Sequence, residues 1–359
     1  MKRKKSNFTQ RHPKGKLNQH MVTIKDISKA LGVSPATVSK ALNGYSDINP
    51  QTAERIRAAA KEMHYLPNIA ARQLKTNRSH NIGVLFVDDT NSGLTHEYFS
   101  AILNSAKETF ETLGYDVTFI SDTIAGTKAS FLEHARYRNC DGVLIASVDF
   151  TSPQVVELVN SEIPTVTIDY PFSDKSAVMS DNVEGQYELT KYVLEMGHRR
   201  IGLIHGEMTM VTKKRLNGFR RALKEFGVEL NPMYEKAGAF HDTKRTAEMV
   251  RELMALPEPP TILMCPDDYA ALGALTELEK MGLRIPEDIS ITGYDGISLS
   301  QVLRPKLTTY FQDSTGIGHQ SARKLVEEIE EKESCTAEQI MVRGKLLPGH
   351  SVKDLREEA

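Results

Sequence analysis

Acidic and amide side chains stand just after short apolar runs through the larger part of the sequence. Asp88, Asp89 and Asn91 follow IGVLFV, and Asp169 and Tyr170 follow PTVTI. Asp267 and Asp268 follow TILMC, and Asp295 ends ITGYD. Thr209 comes shortly after IGLIHG, and Arg215 opens RLNGF. If the runs are strands of a parallel sheet, these residues sit beyond the carboxyl ends of the strands, where α/β folds take ligands. Carboxylates accept hydrogen bonds from paired hydroxyls, and a guanidinium donates two bonds to neighbouring oxygens. Tyr98, Phe99, Tyr170 and Phe172 add faces on which a sugar ring or a base stacks. The set suits a polyhydroxylated ligand. Each residue also has a plainer reading. Asp88, Asp181 and Asp268 fit helix caps, Phe99 fits a core, and Arg215 could pair with Asp295 alone.

A second chemistry is written near the N-terminus. SPATVSKALNG, residues 34 to 44, has the spacing of a short helix with little to bury. Ser34 suits the cap and Pro35 the first helical position. Val38 and Leu42 face inward, and Asn43-Gly44 ends the helix. Before it, VTIKDISKALGV predicts a helix capped by Thr23 with Asp26, its apolar face Ile24, Ile27 and Leu31, stopped by Gly32. After it, Asn49-Pro50 opens a third helix with Ile56, Ala59, Ala60 and Met63 inside. Helix, tight turn, helix and a bracing helix is the helix-turn-helix plan. The thin polar face of the second helix then enters a DNA major groove. Ala36 meets a thymine methyl, Lys40 donates to guanine, and Ser34, Thr37 and Ser39 reach phosphates. A solvated helix of a small bundle fits the same pattern.

Charge weighs between these readings. Residues 1–79 carry 16 Lys and Arg against 4 Asp and Glu, and the remainder carries −14. A basic head on an acidic body places a polyanion at the head. The first twenty residues are basic, polar and aperiodic, as in a disordered tail. Further on, YLPNIAARQLKTNRS holds a helical stretch of under two turns, too short to stand alone in water. Leu74 beside Lys75 has the composition of a minor-groove wedge, and equally of an ordinary linker. From Asn81 onward IGVLFV, DVTFIS, GVLIAS, PTVTID, RIGLIHG, TILMCP and ISITGYD alternate with amphipathic stretches. That is an α/β pattern with parallel sheets, and its strand number suits two sheets.

VTIKDISKALGVSPATVSKALNG, INPQTAERI and YLPNIAARQLKTNRS together resemble the LacI/GalR family of bacterial transcription regulators. NIGVLF, MGHRRIGLIHG, RLNGF, DDYAALGALTELEKMGLRIPEDISITGYDG and LTTYFQD follow in family order. The resemblance implies an all-α helix-turn-helix head and an α/β core of two lobes, of the periplasmic-binding-protein-like type. It implies a homodimer on a pseudo-palindromic operator, with a small effector, most simply a carbohydrate, between the lobes. Pro35, Ala36 and Lys40 then take base-reading positions, Ser34, Thr37, Ser39 and Asn43 lie near phosphates, and Leu74 is the wedge with Lys75 beside it. Asp88, Asn91, Tyr98, Tyr170, Thr209, Arg215, Asp267 and Asp295 become the effector contacts. Arg215 and Asp295 match the positions most used in the family, and Asp267 stands where many members have Asn. The loop TNSGLTHEYF departs from the family form and adds His96 and Glu97.

The expected organisation is a tail (1–20), a DNA-binding head (21–66), a hinge and linker (67–79), a core (80–351) and a C-terminal tail (352–359). In the core, 80–181 with 311–333 make one lobe and 182–308 with 336–351 the other. The chain crosses near Met179–Val183, Leu307–Gln312 and Glu333–Glu338. The sequence holds no G-x-S-x-G, H-E-x-x-H, Walker A or G-x-G-x-x-G, so neither an enzyme nor a cofactor is expected. Three scattered cysteines, no metal spacing, no apolar run of membrane length and no secretory leader point to a cytoplasmic protein. Two other readings are a sugar-binding module without DNA function, which lacks its export signal here, and a regulator governed by a protein partner.

Overall fold

A capping box starts the first helix. Thr23 Oγ1 accepts from the Asp26 N–H at 3.4 Å, and the Thr23 N–H donates to Asp26 Oδ2 at 2.8 Å. The computed structural model describes residues 22–65, 78–87, 93–332 and 334–356. It divides into two compact units, Met1–Arg78 and Ser79–Ala359. In the first unit, α1 (Ile24–Leu31), α2 (Pro35–Leu42) and α3 (Pro50–Glu62) form the helix-turn-helix and its brace. Gly32 ends α1 with φ of 66°, a left-handed conformation that glycine takes without strain. Ser34 caps α2 and Asn49 caps α3, each ahead of a proline. Ile27, Val38 and Ile56 are wholly buried at the centre, each contributing roughly 1.5–3 kcal/mol. Ala41 joins them, while Leu42 is only half-buried, so α2 turns Val38 and Ala41 inward.

The second unit alternates strand and helix. Its first lobe holds β1 (Asn81–Phe86), α4 (Glu97–Thr112), β2 (Asp116–Ile120), a small hairpin of β3 (Thr123–Ile124) and β4 (Thr127–Lys128), α5 (Phe131–Tyr137), β5 (Gly142–Ala146), α6 (Pro153–Val159), β6 (Thr165–Ile168) and β7 (Ser176–Ser180). The second continues with α7 (Asn182–Glu195), β8 (Ile201–His205), α8 (Met210–Glu225), β9 (Glu235–Ala237), α9 (Thr243–Met254), β10 (Ile262–Met264), α10 (Asp268–Lys280), β11 (Ser290–Thr292) and α11 (Ser298–Val302). The remaining elements are β12 (Thr309–Phe311), α12 (Ser314–Glu330), β13 (Gln339–Val342) and β14 (Lys345–Leu347).

Six strands in the order β13-β7-β6-β5-β1-β2 make the first sheet, and β11-β10-β8-β9 make the second; all pairings in both are parallel. Every residue of β5, β6 and β7 is buried, as parallel strands covered on both faces must be. The lobes share a packing device. A Cβ on Gly318 of α12 would lie 2.2 Å from the Ile102 carbonyl oxygen on α4, and one on Gly218 of α8 would lie 2.1 Å from the Val183 carbonyl oxygen on α7. Only a hydrogen at each position lets the two helix backbones touch.

The seven strands read in the sequence are β1, β2, β5, β6, β8, β10 and β11. The unread ones are short or polar, such as β7, SAVMS, and β9, EKA. The chain leaves the first sheet after β7 and returns to that lobe with α12, after β12 has paired antiparallel with β14. The third crossing corrects the expected one near Glu333–Glu338. Strand β13 pairs with β7 in the first sheet, because Gln339, Ile340 and Val342 extend its edge in register, so the chain crosses after Val342.

Candidate functional site

The head surface comes first. Pro35, Ala36 and Lys40 on α2 are exposed, and Thr37 and Ser39 are half-buried beside them. Ser34 Oγ is turned to its own helix, accepting from the Thr37 N–H at 3.1 Å, and lies 2.8 Å from the Thr37 hydroxyl. Asn43 Nδ2 donates to the Ser39 carbonyl at 2.6 Å. Lys40 is held by Asp47, a residue with no motif to mark it; their side chains are 47% and 54% exposed. Leu74 and Lys75 lie outside the described residues.

Between the carboxyl ends of the two sheets lies a cleft of about 830 Å³. Arg215 reaches it from α8. Its Nε donates to Asn182 Oδ1 at 2.8 Å and its Nη1 to the Pro266 carbonyl at 2.7 Å. The guanidinium lies 3.6 Å from the centre of the Tyr294 ring, a cation–π contact. Its Nη2 stands 3.7 Å from Asp295 Oδ1, too long for a hydrogen bond. The side-chain bond to Asp295 comes instead from Gln312, whose Nε2 donates to Oδ1 at 2.6 Å. Arg215 therefore has more partners than the simple pair considered from sequence.

The other carboxylates are set by backbone. Asp267 caps α10, Oδ1 accepting from the Ala270 N–H at 2.6 Å, and its Oδ2 accepts from the His241 N–H at 2.7 Å. Asp169 Oδ1 accepts from the Ser180 N–H at 2.9 Å, and Oδ2 from the Tyr98 hydroxyl at 3.3 Å. Burial pushes the carboxyls of Asp169, Asp267 and Asp295 up, and burial raises the Tyr98 phenol as well. Asp268 is spent on structure. Its oxygens accept from Thr309 Oγ1 at 2.6 Å and the Ile297 N–H at 2.9 Å, and burial pushes it to about 7. Asp169, His241 and Asp295 hold positive φ of 61°, 57° and 102°.

Tyr98, Tyr170, Thr209, Arg215, Asp267 and Asp295 all line the cleft. Thr209 also caps α8, accepting from the Thr212 N–H at 3.3 Å. Asp88 and Asn91 lie outside the described residues. Tyr170 is stacked on Phe150 at 4.6 Å, whereas Phe172 packs behind it at 5.0 Å and is not part of the lining. Phe99, read as core, borders the cleft.

Among the lining residues not read from the sequence are Phe150, His241, Tyr269 and Gln312. His241 is sandwiched between His96 of the first lobe, at 4.4 Å, and Tyr269 of the second, at 3.8 Å. Nearby, the Ser298 N–H donates to Glu97 Oε1 at 2.7 Å, joining the lobes again. Both His96 and Glu97 come from the loop that departs from the family form. His241 and Gln312 follow the short strands β9 and β12, which carry no strand signal to mark what comes after. Among the described residues, no group of three or more His, Cys, Asp or Glu is placed to hold a metal, and no helix is long and apolar enough to cross a membrane.

The described geometry has close parallels. The family of bacterial regulatory proteins called lacI matches residues 23–68, and the periplasmic binding protein-like domain matches residues 190–352. The HTH-type transcriptional repressor PurR of Haemophilus influenzae is 33% identical over 341 residues, covering 93% of this chain and 100% of that protein. The transcriptional regulator CelR in complex with cellobiose is 26% identical with a TM-score of 0.66, covering 92% of this chain and 99% of that one. The lac repressor dimer bound to operator and the anti-inducer ONPF, 24% identical over 92% of this chain and 99% of that one, shares the fold with a TM-score of 0.75. Head, two-lobed core and full-length likeness agree: the chain belongs to the LacI family of DNA-binding bacterial transcription regulators.

Proposed function

We propose that this regulator is a homodimeric repressor whose grip on a pseudo-palindromic operator is switched by a sugar or sugar derivative bound between its lobes. The observation that carries this reading is the cleft. A half-buried guanidinium, the buried Asp267 and the half-buried Asp169 and Asp295 converge at the strand ends, facing the stacked Phe150 and Tyr170. Hydroxyl pairs bond to the first and a sugar face rests on the second. The cellobiose complex of CelR supports the same ligand class. Asp88, Asn91, Tyr98, Tyr170, Thr209, Arg215, Asp267 and Asp295 are the proposed contacts.

On DNA, Pro35 and Ala36 read shape and methyl groups, Lys40 reads a guanine, and Ser34, Thr37, Ser39 and Asn43 set the register on phosphates. Leu74, with Lys75, wedges the minor groove. Effector binding rotates one lobe against the other, and the marginal hinge segment is the element that the rotation makes or breaks. This action places the protein in the cytoplasm.

Thermal unfolding of the full chain against neutral sugars, pentoses, sugar phosphates and nucleobases tests the reading. A ligand at a hundred times its Kd adds about 2.7 kcal/mol. The hit must also change affinity for a duplex selected from a random pool; a sugar that stabilises the protein and leaves DNA binding untouched contradicts the switch.

Lys40 offers a separate check. Its exposed pair with Asp47 is worth at most about 1 kcal/mol, so DNA can displace it. Asp47→Asn should tighten binding to an unrelated duplex up to about fivefold at low salt. Fluorescence anisotropy reads this, and an unchanged Kd means that Asp47 does not compete with DNA for Lys40.

A further inference from the structure

The floor of the cleft is rich in acceptors. Asp267 is buried there and Asp169 and Asp295 are half-buried, around a single guanidinium. That guanidinium gives its Nε and Nη1 to Asn182 and Pro266 and stays 3.7 Å from the nearest carboxylate oxygen. Among the described lining residues the carboxylates of Asp169, Glu207, Asp242, Asp267 and Asp295 outnumber the cations Arg215 and Lys244. An excess of carboxylates over cations in a partly buried site is costly.

A second observation is independent of charge. Gln312 lines the cleft at 2% exposure, and its Nε2 is committed to Asp295. Among the described residues its Oε1 is buried without a hydrogen-bond partner. A buried amide carbonyl left unbonded asks for a donor. Asp295 and Asp169 present acceptors to the same space: the Tyr98 phenol on this wall feels both of their charges. The floor thus wants a compact group with several N–H or O–H bonds and a positive charge. An ammonium has three donors and no acceptor. A neutral hydroxyl offers one donor, brings lone pairs of its own, and leaves the charge as it was.

We propose that the effector is an amine as well as a polyol, an aminosugar or an equally compact hydroxylated amine, whose ammonium is received by Asp295, Gln312 and Asp169. The inference rests on the reading of the cleft as a sugar site and narrows the ligand class. No bond is made or broken. Burial raises the three carboxyls, and a cation beside them would draw them back down.

The test uses the full chain with glucosamine, galactosamine and mannosamine, each beside its N-acetyl derivative and its neutral parent sugar. Thermal unfolding and titration calorimetry at neutral pH are expected to show at least one free amine binding about tenfold or more tighter than both neutral counterparts. Asp169→Asn should shrink the preference for the amine. If that variant fails to fold, the comparison of free amines with their neutral counterparts on the unaltered protein decides alone. Neutral or N-acetylated sugars binding as well as the amines overturn this inference and leave the sugar reading standing. No shift with any sugar, charged or neutral, overturns both.

Discussion

Replacing Asp268 by Asn is expected to remove a large part of the protein's loss of stability between pH 4 and pH 8. Asp268 is 1% exposed, and burial pushes its carboxyl to about 7. In the unfolded chain it titrates near 3.9. Between those values the folded state holds the proton and the unfolded state does not. Stability is therefore full below about pH 4 and falls as pH rises, reaching its floor above about pH 7. Some three units of difference amount to roughly 4 kcal/mol. Asn keeps an acceptor for the Thr309 hydroxyl or the Ile297 N–H and has nothing to ionise. Urea midpoints at several pH values read the slope. Asp169, Asp267 and Asp295 are raised in the same direction, so the variant keeps a shallower fall. A variant with the wild-type slope would place the whole effect on those three.

Arg215→Ala is the second large effect. The guanidinium is the charge that tempers Asp295, Asp169 and Asp267 together. Removing one partner from a buried charge cluster costs about 3–5 kcal/mol. The cost should depend on pH. At pH 8 the carboxylates must ionise without compensation or hold protons against the solvent, and the loss is large. Lower pH favours their protonated forms, so at pH 5 the loss is expected to be smaller. The side chain also packs on Tyr294 at 3.6 Å, and that contribution is lost at any pH. Denaturation at the two pH values separates the parts. An equal loss at both would assign Arg215 to packing. In an operator-release assay the variant should show no response to effector, because the donors at the cleft floor are gone.

Much of this was legible in the residues. Thr23 with Asp26, Ser34-Pro35 and Asn49-Pro50 mark three helix starts, since a cap is a local chemical event within four residues. The long apolar strands are legible because β1 and β5 must be apolar on both faces. Asp267 and Asp295 are legible because they stand just after the apolar strands β10 and β11, and Arg215, within α8, because RLNGF follows in family order. His241 and Gln312 are not, because β9 and β12 are three residues long and their position depends on pairing with distant partners. The edge strand β13 is missed for the same reason: half of its residues face solvent, and only its register with β7 assigns it to the first lobe. The Lys40–Asp47 pair spans a turn whose geometry the residue types leave open.

The left-handed backbone at Asp169, His241 and Asp295 carries a conformational cost. Each position costs on the order of 1 kcal/mol or more with a side chain and little with glycine. Glycine there would relieve the backbone and, at Asp169 and Asp295, leave the Ser180 N–H and the Gln312 amide without their acceptors. Three side chains lining the cleft are thus held on backbone that only their own presence strains.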